Sequence, residues 1–460
     1  MKLAKVLLLT VGVMAAGMVA PCAHGGVTLT TLVSFAGTNG ANPGAGLVQG
    51  KDGNFYGTTV VGGTNGFGSL FQLTSSGTFA TLISFDRTNN GANPGATLVQ
   101  GSDDALYGTT EAGSTNNNGT IFKVTTGGAL TTLVSFNGTN GALPHAPLML
   151  GQDGKFYGTT ELGGTNQDGT AFQMLTNGTL TSLASFDHNH SGSSPCAGLV
   201  QAADGNFYGA ALLGGTNSHG AMFRLATNGT LTTLYSFTGG GDGANPFAGL
   251  TQGADGMLYG TTLNGGTNGY GTVFKMATNG TFTQLMSFGG TNGANPQAAL
   301  LLASDGNFYG TTKSGGAFTN QFGSGCGTVF KLTTNGTLTT LASFNGTNGT
   351  HPLGLVQTLD GGFYGTTADG GTNGYGTVFR FNIAAPPPPS FLAVKESGAT
   401  LTLTWSATVD QSYQMLYKTN LNQINWDNLD STIIATNASM TTLDATGPDQ
   451  QRFYRIELLY

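Results

Sequence analysis

A block of about fifty residues recurs along this chain. Its most regular mark is Tyr-Gly, followed in most copies by Thr-Thr, at Tyr56, Tyr107, Tyr157, Tyr208, Tyr259, Tyr309 and Tyr364. The spacings are 51, 50, 51, 51, 50 and 55 residues. A period of this size belongs to solenoids, propellers and arrays, in which each unit buries its apolar face against its neighbours.

The fifth copy, from Gly249 to Phe288, shows the local structure. Its β-type runs GLTQ, MLYGTT, TVFKM and TFTQLMSF are rich in β-branched and aromatic residues and are separated by turn signals. Asp255-Gly256 predicts a two-residue type I′ hairpin, which needs φ > 0 at both positions, and Asn279-Gly280 predicts another tight hairpin turn. The loop LNGGTNGYG, between the second and third runs, and the Pro-containing link to the next copy are longer. Each copy therefore reads as a four-stranded antiparallel meander, the unit of a propeller blade.

The two ends of the array are deficient in complementary ways. Thr28–Phe35 is a fourth strand with no first three, and the last copy stops at Asn382 with no fourth. The fold expected is all-β: a seven-bladed β-propeller over 26–383, closed by the N-terminal strand. An open β-solenoid or a pair of sandwiches is the alternative. Closure would leave no sheet edge at the seam.

Residues 1–25 read as an export signal, with Lys2 and Lys5, an apolar stretch from Val6 to Ala20, and small residues at Ala20, Ala23 and Gly25. Pro21 stands before Cys22 where a lipoprotein signal wants Gly or Ala, which argues against lipidation. The protein is expected to be secreted or on the cell surface, with no membrane span. Only 8% of residues are charged and the net charge is −7, which argues against nucleic acid and anionic membranes as partners. Residues 384–389 include a proline run and read as a stiff linker. Residues 390–460 carry both tryptophans, Trp405 and Trp426, and alternating strands that predict a small fibronectin III- or immunoglobulin-like β-sandwich.

The recurring series GLVQ, DG, FYGTT, GGTN, GTVFK and NGTLTTL resembles the GloVer-type tandem repeat of secreted bacterial proteins, known especially from Verrucomicrobia. The tail segments LTLTWSA and QRFYRIELL resemble the fibronectin-like C-terminal module found with it. The resemblance implies a secreted propeller and brings no catalytic residues. Kelch repeats share the double glycine and the period, but their Trp is absent from the repeats here.

Equivalent positions in a ring share a radius, so differences between copies are the guide to a site. After the Tyr-Gly-Thr-Thr mark stand Val60, Glu111, Glu161, Leu212, Leu263, Lys313 and Ala368, with Asp369 one further on. Glu111 and Glu161 are the candidate catalytic pair. At an assumed radius of roughly 10 Å they would stand about 9 Å apart, near the spacing of inverting glycosidases; solvated loop carboxylates are the competing reading. Phe67, Tyr270, Phe322 and Tyr375 on the long loops are candidate platforms for stacking on sugar faces, with packing over a neighbouring blade as the alternative. The histidines His145, His188, His190, His219 and His351 read as exposed and incidental, and the inter-blade prolines as structural. No metal or other cofactor is expected. The favoured function is a non-catalytic binding or scaffold propeller, a monomer recognising a glycan or a cell-surface protein. A carbohydrate-active hydrolase or lyase and a structural envelope protein are the alternatives.

Overall fold

Every regular element among the described residues is a strand. The computed structural model describes residues 7–8, 27–319, 325–383, 388–408, 412–420, 422–445 and 452–459. The expected export signal (apart from Leu7–Leu8), residues 384–387 of the expected linker, and Phe322 lie outside them. No helix among the described residues is long and apolar enough to cross a membrane. Gly26–Asn382 forms one compact unit, and Ile383–Tyr460 belongs to another.

The repeat unit contains seven antiparallel sheets among the described residues, one per copy of the repeat. In the fifth, Thr251–Gln252, Leu258–Thr262, Thr272–Met276 and Phe282–Ser287 pair in sequence order. The second and third strands are almost wholly buried, because both their faces meet neighbouring sheets. The Gly of each Tyr-Gly mark is required by this packing. A Cβ there would lie 2.5–2.6 Å from the ring of the third-strand Phe, as at Gly108 against Phe122 and Gly260 against Phe274.

The tight turns differ from the expected type I′. Only the glycine has positive φ, 76° at Gly256 and 92° at Gly280. Gly256 N–H donates to Gly253 O at 3.0 Å, and Gly253 N–H donates to Met257 O at 2.9 Å. This is the longer connection in which a left-handed glycine forms a bulge. Asp255 favours it by accepting from Met257 N–H at 3.1 Å and from the Tyr259 hydroxyl at 2.8 Å. The same Tyr–Asp bond recurs in the first six repeats at 2.6–2.9 Å, which explains why these residue types travel together. Burial and the bonded Asp153 push the Tyr157 phenol up to about 12.

Seven apolar clusters join consecutive sheets, and one of them joins the seventh to the first. Tyr107 packs on Phe156 of the next sheet with ring centroids 4.2 Å apart, and Tyr364 packs on Phe55 in the same way at 4.3 Å. Thr30–Ser34 lies antiparallel beside Thr377–Phe381 in the last sheet. Its flanking Phe35 packs on Phe71 of the first sheet at 5.3 Å, as Phe85 packs on Phe122 at 5.4 Å. Each fully buried aromatic side chain contributes about 1.5–3 kcal/mol, so the interfaces between sheets hold most of the fold.

The C-terminal unit has one sheet of Phe391–Ser397, Thr400–Ser406 and Ser439–Ala445, and another built on Ser412–Lys418 and Phe453–Leu459. Trp405, Tyr413 and Met415 form its core, fully buried. The indole N–H of Trp405 is satisfied by Thr442 Oγ1 at 3.2 Å.

Candidate binding site in the cavity shared by the seven sheets

Each repeat enters its first strand through the same three-residue device. The first residue is left-handed: Asn42, Asn93, Leu143, Ser194, Asn245, Asn295 and His351 have φ between 53° and 58°. Its N–H donates to a loop carbonyl of the preceding sheet at 2.8–3.1 Å. Asn tolerates this conformation best, and four copies have it. A proline follows. Its ring abuts the glycine before the preceding sheet's third strand, so that a Cβ on Gly119, for example, would fall 2.6 Å from Pro144 Cδ.

The third residue is the one that varies. Gly44, Gly95, His145, Cys196, Phe247, Gln297 and Leu353 all line one cavity of about 500 Å³. Below them the wall is small and apolar, with Gly46, Leu199, Leu250 and Leu355 among its residues. The volume lies in the range of small-molecule sites, which combine an apolar wall with a few polar groups.

Glu111 and Glu161 belong beside this position. Their backbone N–H groups donate to the left-handed residues Asn93 and Leu143 at 3.1 and 3.0 Å, and Lys313 N–H donates to Asn295 at 3.2 Å in the same register. The Glu111 carboxylate bonds His145 Nδ1 at 2.8 Å. Gly95 makes room for that carboxylate, since a Cβ there would sit 2.4 Å from Glu111 Oε1. His145 also meets the Phe247 ring edge-on, with centroids 5.6 Å apart. Burial opposes charge on His145, but the bonded Glu111 and the nearby charge of Glu161 outweigh it, so its proton is held more tightly than usual. Burial and the same two carboxylates push the Cys196 thiol far up, so it stays protonated.

A family model, the Gloeobacter/Verrucomicrobia repeat, matches residues 9–211 and 198–387. The chain belongs to that family. In this Gloeobacter/Verrucomicrobia repeat protein the match therefore takes in all seven sheets and the cavity they share. No curated protein matches the sequence. Among solved structures, a gluconolactonase from Xanthomonas campestris is similar at 12% identity and a TM-score of 0.41, over 78% of this chain and 90% of its own. A puromycin hydrolase is similar at 12% identity and 0.47, over 81% and 60%. The polysaccharide lyase Uly1 is similar at 12% identity and 0.43, over 74% and 90%.

The expected aromatic platforms of the repeat protein divide into three cases. Tyr270 and Tyr375 are each 44% exposed, with one side of the ring against Gly290 or Gly37 of the next repeat's entry loop. Phe67 is half-buried, with the Arg87 guanidinium 5.7 Å from its centroid. Phe322 lies outside the described residues. The residue in register with Tyr270 is Cys326, whose carbonyl takes the same inter-sheet bond, because the loop of the sixth repeat is longer.

The histidines are not all incidental, as the sequence suggested. His145 holds Glu111, and His351 Nδ1 lies 2.8 Å from Asp369 Oδ2. His188 bonds Ser193 Oγ at 2.9 Å, and His190 lies 3.1 Å from Asp187. No group of His, Cys, Asp or Glu among the described residues has the arrangement of a metal site. Sequence reasoning missed the residue after each proline. The signal is in the sequence: seven prolines precede six different residue types.

Proposed function

We propose that this chain is a secreted binding protein, a seven-bladed propeller closed by Thr30–Ser34, that takes a small polyhydroxylated ligand of the sugar class into the cavity on its long-loop face. The single observation carrying the reading is that the residue after each entry proline, of six types in seven copies, lines one common cavity in all seven. Phe247 offers a stacking surface, His145 and Gln297 offer hydrogen bonds, and Tyr270 and Tyr375 extend the aromatic surface at the rim. Closure of the ring is supported by the Thr30–Ser34 pairing and by the Tyr364–Phe55 contact, which matches the contacts between interior repeats. Export is supported by the pattern of residues 1–25. A fibronectin III-like identity for 390–460 is supported by its two sheets around Trp405.

The test is a glycan array with the mature chain, followed by titration calorimetry on the hits. Phe247→Ala should weaken binding at least tenfold, and Tyr270→Ala or Tyr375→Ala less. An array with no hit, or hits indifferent to Phe247→Ala, refutes the reading.

The Glu111–His145 bond favours a second reading, a carbohydrate-active hydrolase or lyase, because a carboxylate-held imidazole is a competent general base. Glu111→Gln would then abolish turnover of a bound saccharide while the melting temperature holds. Turnover that survives both Glu111→Gln and Glu161→Gln removes it.

A further inference from the structure

Charge is concentrated at one position of the repeat. Charged residues are 8% of the sequence, yet three of the seven residues that follow the repeat mark are charged: Glu111, Glu161 and Lys313. Their backbones are held in one register by the same bond to the left-handed entry residue. With seven repeats about 51° apart, the midpoint between the second and third repeats lies directly across from the sixth. By repeat order the positions of Glu111 and Glu161 thus lie across the ring from that of Lys313, and both carboxylates act on the cavity-lining His145 and Cys196.

These charges are not spent on each other. Glu111 is engaged by His145. Among the described residues, the carboxylate of Glu161 and the ammonium of Lys313 have no hydrogen-bond or ion-pair partner, although both side chains are half-buried. Charge kept partly out of water and unpaired is unfavourable, and a ligand of opposite charge relieves it.

A second feature distinguishes two of the repeats. In four copies the first Thr of the mark sends its hydroxyl to a carbonyl of the next repeat's entry stretch: Thr58 to Ala96 at 3.5 Å, Thr159 to Pro195 at 2.8 Å, Thr311 to Leu353 at 2.9 Å and Thr366 to Ala45 at 2.6 Å. Thr109 and Thr261 occupy the same position and are buried, at 2% and 1% exposure, but their hydroxyls have no partner among the described residues. By that equivalence Thr109 is directed at the stretch carrying His145, and Thr261 at the stretch carrying Gln297, the lining residue of the repeat that holds Lys313. Such orphan hydroxyls are rare.

We infer that the mouth is a two-pole site for a zwitterion: an ammonium group held by Glu161 and Glu111, a carboxylate held by Lys313, and an apolar or sugar body over Phe247 between them. A sphere of the cavity's volume is about 10 Å across, which sets the ligand at the size of an amino-sugar–uronic-acid disaccharide or a short peptide. The inference rests on the cavity reading above and narrows its ligand.

The experiment is calorimetry on the mature chain with four probes: glucosaminyl-glucuronate, its N-acetylated form, its methyl ester, and the tripeptide trialanine. The zwitterionic disaccharide should bind at least tenfold more tightly than either neutralised form, and that preference should shrink as salt is raised. Glu161→Gln should abolish the preference over the N-acetylated form, and Lys313→Met the preference over the ester. Thermal melts establish that each variant is folded. Neutralised forms that bind as tightly as the zwitterion, with affinity lost in Phe247→Ala, overturn the inference and leave the sugar reading standing. Binding of trialanine alone upholds the two poles and overturns the sugar reading. No binding by any probe overturns both.

Discussion

The two ends of the repeat are built to different rules. At the tight-turn end the chemistry varies little: in most turns an Asp or Asn before a left-handed glycine, and in the first six repeats a Tyr hydroxyl on the turn Asp. At the long-loop end the backbone is equally regular, but the side chains after the proline run from Gly to Phe. Where the same side chain recurs, it satisfies a group that every copy has. Where the backbone recurs and the side chain does not, the scaffold is holding something specific to this protein. Loops on a rigid frame are where binding chemistry is expected.

The most severe way to break the comparison is at the seam. Deleting Thr28–Phe35 should bare the edge of Thr377–Phe381 and remove Phe35 from the first sheet's core. The expected result is aggregation and loss of a single cooperative melt. A deletion that melts like the full chain would refute ring closure.

A buried pair tests the invariant chemistry next. Thr110 and Thr120 share a hydroxyl bond of 2.8 Å, and five other repeats have the equivalent pair. The fourth repeat has Ala211 opposite Ala221 instead, both changed together. Thr110→Ala should destabilise by about 1–3 kcal/mol, because it strands the Thr120 hydroxyl. Adding Thr120→Ala should recover part of that loss in denaturant melts. Additive losses would show that the bond is not what couples the two positions.

A smaller effect sits at the variable end. His145 binds its proton more tightly in the folded chain than at its ordinary value of 6.5. Its contribution to stability should therefore be complete below about pH 6.5 and be lost as pH rises through the higher folded value. His145→Ala should flatten that step in a stability–pH series. A step that persists in the variant belongs to another group.

The smallest expected change is a gain. Leu143 holds φ 53°, where its Asn counterparts Asn93 and Asn245 also bond a neighbouring repeat's carbonyl through Nδ2. Leu143→Asn should stabilise by roughly 0.5–1 kcal/mol through relief of strain and one new bond. If the melt falls instead, Leu143 is packing rather than strained.

Much of this was legible in the sequence, for identifiable reasons. The meander and the complementary ends at Thr28 and Asn382 are written in a period-2 pattern and a count, which need no coordinates. The placement of Glu111 and Glu161 on matching positions was also readable, because a repeat assigns equivalent residues equivalent places. The turn type was misread because Asp-Gly suits two connections, and only backbone φ separates them. Partners were the hardest to see: Glu111 and His145 are 34 positions apart and in different repeats, and nothing local pairs them.

The sequence by itself determined the family, the all-β repeat and the face on which variation is concentrated. A strand's character and a turn's glycine are local properties of the chain. Only the tertiary structure decided that seven post-proline residues share one cavity, that His145 answers Glu111, and that the hydroxyls of Thr109 and Thr261 find no partner among the described residues. Those outcomes depend on which side chains from separate repeats meet in space and which meet nothing. The angle between sheets sets this, through the packing of Phe and Tyr at their interfaces, and no single repeat encodes it.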